Sequence, residues 1–516
     1  MSTAPITAPR NRVPRSFALR TETAGHDAFV APPAQIDNGD EARYADKSGT
    51  YTKGILQTGV GLVDLAAYQT FKKALDSGDP ADFEAITLGG PRTLNGPQGG
   101  LAFYLECLDS SQFAVPPAPA LASEEYATEL VELYWASLLR DVAFTHYSSD
   151  PIAVQAANEL SSMPSYQGPR DASNKVTPDL LFRGKAAGET IGPYLSQFLL
   201  QDTSLGALPI TQKYVTFKKN IDYMKDPTTF LQVQNGISTG LQLQPDAPLF
   251  LHDGRGLAAY THSDVLYQAY FIAYLVLNTI NTPLNPGNPY HGSKTQNGFG
   301  TFGQPDIAAT LTAVAREALN AVWYQKWYVH LRHRPESGGA IVHLLKIGEG
   351  NTIQGHVSAT VLNSQAVQSS FTTNNSFFLS QAFPEGSPTH AAYPTGHGAV
   401  AGACITVLKF FFDGGFFVPN PKVPSTDGTM LNNYTGSDTG LLTVNGELHK
   451  LARNISFGHG IHAGIHWRSD TDTSIQLGEA VALSFLQDRA RLQRKVRCKA
   501  DETGRQHRDD LQSVSS

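Results

Sequence analysis

Long stretches of the chain place apolar residues at the spacing of an α-helix, and this pattern limits the fold more than any other feature. In residues 123–142 one helical face carries Tyr126, Leu130, Leu133, Tyr134 and Leu138. The pattern recurs in 263–279, 306–327 and 398–412. Alternating strands are scarce, and loops rich in Gly, Pro and Asn separate the helical segments. We therefore predict a mainly α fold made of helix bundles, with long functional loops.

Composition limits the class of protein. The chain has 516 residues, a net charge of −7 and three cysteines that are far apart, without a CxxC motif. Mild acidity disfavours a nucleic-acid binder, and the cysteine pattern favours a reducing compartment. The first residues lack the apolar core of a secretory signal, and the longest apolar run, 269–277, is too short to span a membrane. We expect a soluble protein, cytoplasmic rather than secreted.

The two ends of the chain differ from its middle. Residues 1–40 are rich in Pro, Ala, Thr and Arg, and they predict an extended or disordered arm. Residues 492–516 are charged and poor in apolar side chains, which predicts a tail after a fraying helix. The main domain is therefore expected to occupy residues 41–491.

One short segment, YPTGHGAVAG at 393–402, combines a hydroxyl, a glycine and a histidine with a run of small residues. The small residues predict a helix with closely packed neighbours. The free N–H groups of a helix start bind anions, and Thr395 and His397 can add donors there. The alternative is an ordinary capped junction between a loop and a helix.

Two other segments carry chemistry-bearing residues. In KWYVHLRHRPE, 326–336, Lys326 and Arg334 flank an aromatic run that we expect to be extended, and they can converge on one oxyanion. The alternative is a solvated basic stretch. In NISFGHGIHAGIHWRSD, 454–470, His466 and Asp470 share a helical face, so that the carboxylate can fix the tautomer of the imidazole.

The order of these motifs resembles the vanadium-dependent haloperoxidases, especially the algal-type bromoperoxidases, which share their site with a group of acid phosphatases. The motifs are Lys-(x)7-Arg-Pro at 326–335, Pro-Thr-Gly-His at 394–397 and Gly-Ile-His-Trp-Arg-Ser-Asp at 464–470. Sequence similar to that of the family extends over roughly residues 40 to 490, for example in 133–147 and 411–424. The resemblance implies two helix bundles that form one large domain, with the site within 326–470.

The resemblance also implies a role for each matched residue. Lys326 and Arg334 would bind oxygens of a vanadate cofactor, and Thr395 and the amide of Gly396 would donate to it. His466 would bond the vanadium, supported by Asp470. His397 would act as the acid–base group, and His390 would lie near the halide. The implied reaction is oxidation of bromide or iodide by hydrogen peroxide to hypohalous acid, followed by halogenation of an organic acceptor. His390 in place of an aromatic residue disfavours chloride.

The chain departs from the family pattern in two places. Thr395 stands where the family usually has serine, and the second arginine of the last motif is missing, with His459 or Gly460 at its place. Protonated His459 could substitute for that arginine, or Arg332, Arg453 or Arg468 could reach in from elsewhere.

Three alternatives to the haloperoxidase remain open at this stage. One is a phosphate-ester hydrolase with His466 as nucleophile and His397 as acid. Another is a homologue that has lost its cofactor, because the arginine is missing. The third is a transition-metal site formed by His459, His462 and His466 along one helical face. The resemblance further implies a homo-oligomer, without nucleic acid or membrane as partner.

Overall fold

The computed structural model describes residues 12–492, and it is mainly helical, as predicted. The helices, α1 to α16, are Arg12–Ala28, Asp40–Arg43, Leu65–Ser77, Pro80–Glu84, Glu124–Leu138, Pro151–Ser161, Pro227–Gln234, Gly254–His262, Gln268–Thr279, Gln304–Tyr324, Pro335–Ile347, Ala359–Leu362, Gln365–Asn374, Gly396–Phe411, Val444–Phe457 and Arg468–Leu492. Within residues 12–492 no helix is both long and apolar enough to cross a bilayer.

Strands are short and lie at the periphery of the helical body. They form four two-stranded antiparallel sheets, which pair β1 with β2, β3 with β4, β5 with β6 and β7 with β8. The strands β1 to β8 are Gln57–Gly59, Leu62–Val63, Thr203–Leu205, Leu208–Ile210, Tyr214–Phe217, Pro245–Leu249, Lys422–Pro424 and Leu431–Asn433. Loops between helices are correspondingly long, which leaves them free to carry functional side chains.

Helix α14 lies at the centre of the C-terminal bundle, between α10, α15 and α16. Its small residues let α16 approach closely, as the sequence predicted. A β-carbon on Gly402 would lie 2.0 Å from the carbonyl oxygen of Ile475, and one on Gly478 would lie 1.9 Å from that of Ala399. Only glycine fits where two helix backbones approach in this way.

The N-terminal segment differs from the expected extended arm. Residues 12–28 form α1, which packs against α16, and the side chain of Gln35 donates to the carbonyl of Phe113 at 2.9 Å. The expectation was based on composition alone, and composition does not show that α16 provides a surface against which a helix can pack. Residues 1–11 and the predicted tail at 493–516 lie outside the described residues.

Two helices end in a turn of π-helix, and both turns carry candidate site residues. Gln325–His330 continues α10 in this wider form. The aromatic run after Lys326 is therefore helical, whereas we had expected it to be extended. Gly458–His462 continues α15 in the same way. A π turn adds one residue to a helical turn and thereby changes the direction in which the side chains after it point.

Candidate functional site

The predicted site residues come from six separate parts of the chain and meet in one buried cluster. Lys326 lies on the first π turn, Arg334 immediately before α11, and His390 on the segment that leads to α14. The start of α14 supplies Thr395, Gly396 and His397, and the second π turn supplies His459. The turn before α16 supplies His466, and the first turn of α16 supplies Asp470. His459 is partly buried, and the others are buried.

His466 is held by its neighbours in one orientation and one tautomer. Its Nδ1 lies 2.8 Å from Oδ2 of Asp470, and because a carboxylate only accepts hydrogen bonds, Nδ1 carries the proton. Its Nε2 therefore presents a lone pair, which accepts a hydrogen bond from Arg334 at 2.7 Å. The i,i+4 contact is the one predicted, although His466 lies in the turn before α16 rather than inside a helix. Nε2 is therefore the nitrogen of His466 that can serve as a ligand.

Lys326 and Arg334 bring two cations to this lone pair. The ammonium of Lys326 donates to the carbonyls of Ala391 and Ala392, both at 2.7 Å, which leaves one of its three hydrogens without an acceptor. The guanidinium of Arg334 donates to the carbonyl of His390 at 2.9 Å and to that of Ile465 at 2.9 Å. Carbonyl acceptors fix both side chains without neutralising their charge.

The start of α14 adds neutral donors. Thr395 precedes the helix, but its hydroxyl does not cap it, and this buried Oγ1 has no hydrogen-bond partner. The backbone of Thr395 is fixed by donation from its N–H to the hydroxyl of Ser474 at 2.6 Å. The first intrahelical bond runs from Ala399 to Thr395, so the N–H groups of Gly396 and His397 lie ahead of the helical ladder. An oxyanion at this helix start would satisfy all three donors.

His397 is linked to a residue that sequence analysis missed. Its Nε2 lies 3.0 Å from Oδ1 of Asp264, a carboxylate whose side chain is 3% exposed. Its ring stacks on that of His459 with centroids 3.8 Å apart, and His459 in turn lies 5.6 Å from His466. Asp264 is 133 residues away in the chain, and no local pattern in the sequence points to it.

The electrostatics of the cluster favour a bound anion. Burial and the nearby Arg334 lower the pKa of Lys326, of His390 and of His466 well below their ordinary values. Burial also lowers the pKa of Arg334 itself to about 10. Desolvated cations that face one another are unfavourable unless a negative charge joins them. A multiply charged oxyanion fits this set of donors.

None of the three arginines proposed as substitutes for the missing one is free to join the cluster. Each is held by carboxylates. Arg332 pairs with Glu129 at 3.0 Å and Asp470 at 2.7 Å, Arg453 with Glu189 at 3.0 Å and Asp472 at 2.5 Å, and Arg468 with Glu132 at 2.5 Å. Arg332 instead helps to orient Asp470 and, through it, His466. His459 is the remaining candidate, and its buried Nδ1 has no partner.

The three histidines of the last motif do not form a metal site. His462 turns away from the other two, and its Nε2 lies 2.9 Å from the hydroxyl of Tyr194, among aromatic rings. Within residues 12–492 no group of three or more potential ligands is arranged to hold a metal ion. The expected alignment on one helical face fails because a π turn and a glycine at φ +85, Gly464, break the helix.

Comparison with known proteins points to one family. Residues 306–494 match the family model described as the VCPO second helical-bundle domain. The chain is 30% identical to a vanadium-dependent bromoperoxidase of Corallina officinalis, over 93% of this chain and 95% of that protein. The chain belongs to the vanadium-dependent haloperoxidase family. A similar enzyme from Ascophyllum nodosum is 32% identical, over 93% and 89% of the two chains.

A solved structure supports the fold of this haloperoxidase family member. It is the homohexameric second vanadate-dependent bromoperoxidase from Ascophyllum nodosum, which superposes with a TM-score of 0.88 at 29% identity and covers 95% of this chain and 86% of that one. The fold class and family predicted from the motifs are therefore confirmed. The roles of the individual site residues stay predictions.

Proposed function

We propose that this protein uses vanadate to oxidise bromide or iodide with hydrogen peroxide, and that the hypohalous acid formed halogenates organic acceptors. The observation that carries the proposal is the lone pair on Nε2 of His466, enclosed by buried cations and by the unpartnered hydroxyl of Thr395. His466 would bond the vanadium. Lys326, Arg334, Thr395 and the amide of Gly396 would hold its oxygens.

When bound, pentavalent vanadate supplies a Lewis-acid centre for peroxide and for oxidation of the halide. The chain's own residues supply proton transfer and orientation. We assign to His397 the role of accepting the proton of incoming peroxide, because its contact with Asp264 fixes the orientation of the ring. Lys326 would draw electron density from the bound oxygens. His390, whose ring centroid lies 4.8 Å from that of Trp323, would border the halide position.

The decisive experiment measures bromide oxidation by metal-free protein with peroxide, with and without added orthovanadate. We expect activity that appears only with vanadate and saturates as the site fills. His466→Ala should abolish it, because this substitution removes the only lone pair that Asp470 orients. The control is His291→Ala, which alters an exposed histidine outside the cluster.

The same assay separates the alternatives. Absence of bromide oxidation at every vanadate concentration would contradict the proposal and favour a homologue without the cofactor. Turnover of p-nitrophenyl phosphate by the vanadate-free protein, lost in His466→Ala, would support the phosphate-ester hydrolase. No observation in the cluster favours the hydrolase, since phosphate and vanadate would use the same donors.

We further propose that the protein assembles as a homo-oligomer. The support is the solved relative, which is homohexameric and aligns with 95% of this chain. Light scattering of the purified protein would determine its subunit number.

A further inference from the structure

A second cavity of about 520 Å³ lies apart from the residues assigned to vanadate. Its walls carry apolar and polar residues in nearly equal share, and they come from the segment after Gly90, from the end of α7 and the loop that follows, and from the segment before His390. The apolar wall residues are Pro91, Val233, Ile237, Leu241, Leu243 and Pro384. Cavities of this size and character accommodate small organic molecules.

Contacts of Glu385 connect the cavity with the segments that carry the vanadate cluster. Glu385, on its rim, lies five residues before His390, and its carbonyl accepts from the buried ammonium of Lys53 at 2.8 Å. That ammonium pairs with Glu336 at 2.7 Å, two residues beyond Arg334. The carboxylate of Glu385 also lies 2.7 Å from His262, two residues before Asp264. Glu385 therefore links the rim of the cavity to the segments that carry His390 and Asp264.

A second set of contacts connects the cavity with His390 from the other side. Arg92 lines the cavity, and the next residue, Thr93, accepts a hydrogen bond from the hydroxyl of Thr389 at 2.7 Å. Asn95 donates from its backbone to the carbonyl of Thr389 at 2.9 Å. Its own carbonyl accepts from Trp323, the ring that packs on His390. These contacts join the cavity wall to the residues that pack on His390.

Two charged residues line this cavity, Arg92 and Glu385, and Arg92 is the cation. Its backbone N–H donates to Gly236, but within residues 12–492 its guanidinium makes no hydrogen bond or salt bridge. Glu385 does not pair with it, because that carboxylate is engaged by His262. A half-buried guanidinium without a carboxylate is a ready partner for an organic anion.

We propose that this cavity binds the organic acceptor, and that it selects aromatic or other apolar molecules that carry a carboxylate. The inference rests on the proposed function, which supplies the hypohalous acid. The apolar wall residues would enclose the ring, while Arg92 pairs with the carboxylate. Halogenation then replaces a ring C–H bond by C–Br, and the ring proton leaves with the hydroxide of hypobromous acid as water.

The test uses a matched pair of probes, 3-(4-hydroxyphenyl)propanoate and its neutral amide. Each is titrated by calorimetry into vanadate-loaded enzyme without peroxide, at low ionic strength. We expect Arg92→Gln to weaken binding of the acid about tenfold, as loss of a charge-assisted pair does, and to leave the amide within about twofold. Arg20→Gln, which changes an exposed arginine on α1, should leave both affinities unchanged.

Two further variants separate charge from shape. Arg92→Lys should retain most of the affinity for the acid, and Ile237→Trp, which fills the cavity, should weaken acid and amide alike. In turnover, Arg92→Gln should raise KM for the acid by the same factor, with oxidation of iodide in the absence of acceptor unchanged. Unchanged affinity for the acid in Arg92→Gln, or an equal loss for acid and amide, would overturn the proposal. Failure of iodide oxidation in the wild-type enzyme would instead overturn the proposed function, and the calorimetric result would stand.

Discussion

The residue that most distinguishes this cluster is His459, which lies where the family pattern places an arginine. Burial and the adjacent His397 lower its pKa well below the ordinary value, so the side chain is neutral near pH 7 and offers at most one N–H. An arginine brings a permanent charge and five donors. We expect His459→Arg to bind orthovanadate about tenfold more tightly, the usual effect of one charge-assisted pair. Equilibrium dialysis would measure this affinity.

The same substitution has an opposite effect when no anion is present. A further buried cation destabilises the vanadate-free protein, so its thermal midpoint should fall and should then rise more steeply with added vanadate than the wild type does. His459→Gln is the neutral control, and it should neither tighten binding nor increase this rise. Equal vanadate affinity in His459→Arg and wild type would mean that residue 459 does not face the oxyanion.

At the scale of elements, the site depends on how closely α14 and α16 approach. Thr395 and His397 begin one helix and Asp470 begins the other, and the glycines between the helices set their separation. Gly402→Ala would place a β-carbon 2.0 Å from a backbone oxygen that has no rotamer to change. We expect the free energy of unfolding to fall by about 1–3 kcal/mol, the range for overpacked cores, and vanadate affinity to fall with it.

Thermal unfolding with and without vanadate measures both effects. The control is Gly25→Ala, since Gly25 also lies in a helix but has no atom within 4 Å of its β-position. That change should be neutral or stabilising by up to about 1 kcal/mol, because alanine is the better helix former. Equal midpoints for Gly402→Ala and the wild type would mean that the two helices separate at little cost.

Local pattern predicted the helices well and their ends poorly. The small residues of α14 and the i,i+4 spacing of His466 and Asp470 are local signals, and the structure contains the contacts that they predict. The two π turns were missed, because the extra residue in each turn is stabilised by packing beyond the helix rather than by its own sequence. The same reason explains α1, whose residues form a helix against α16.

At the scale of the whole molecule, the site combines segments that no single stretch of sequence connects. The resemblance to a family supplied Lys326, Arg334 and His390 together, whereas spacing alone left each of them ambiguous. Sequence analysis did not find the contacts outside the motifs, such as that of Asp264 with His397 and that of Lys53 with Glu336. These pairs join residues 133 and 283 positions apart. Only the packing of the complete fold determines such partners.

Buried neutral histidines give the whole molecule a predictable response to acid. Burial, with the nearby Arg332 or Arg140, lowers the pKa of His333 and of His462 from 6.5 to about 3, and that of His330 to about 4. Below pH 6.5 these histidines therefore bind protons in the unfolded chain but stay neutral in the folded chain. The free energy of unfolding falls as the pH decreases from 6.5 toward the pKa values of the folded state. Each of these histidines should cost about 2 kcal/mol at about pH 5.

His462 offers the cleanest test, because it lies apart from the cluster and hydrogen-bonds to the hydroxyl of Tyr194 at 2.9 Å. His462→Gln can keep that hydrogen bond but cannot take up a proton. Its thermal midpoint should therefore fall less than that of the wild type between about pH 7 and about pH 5. The reason is that the variant lacks one group that takes up a proton on unfolding. His291→Gln, at an exposed position, should follow the wild type. If His462→Gln and the wild type lose stability in parallel, His462 is protonated in the folded protein, and the acid response must come from other groups.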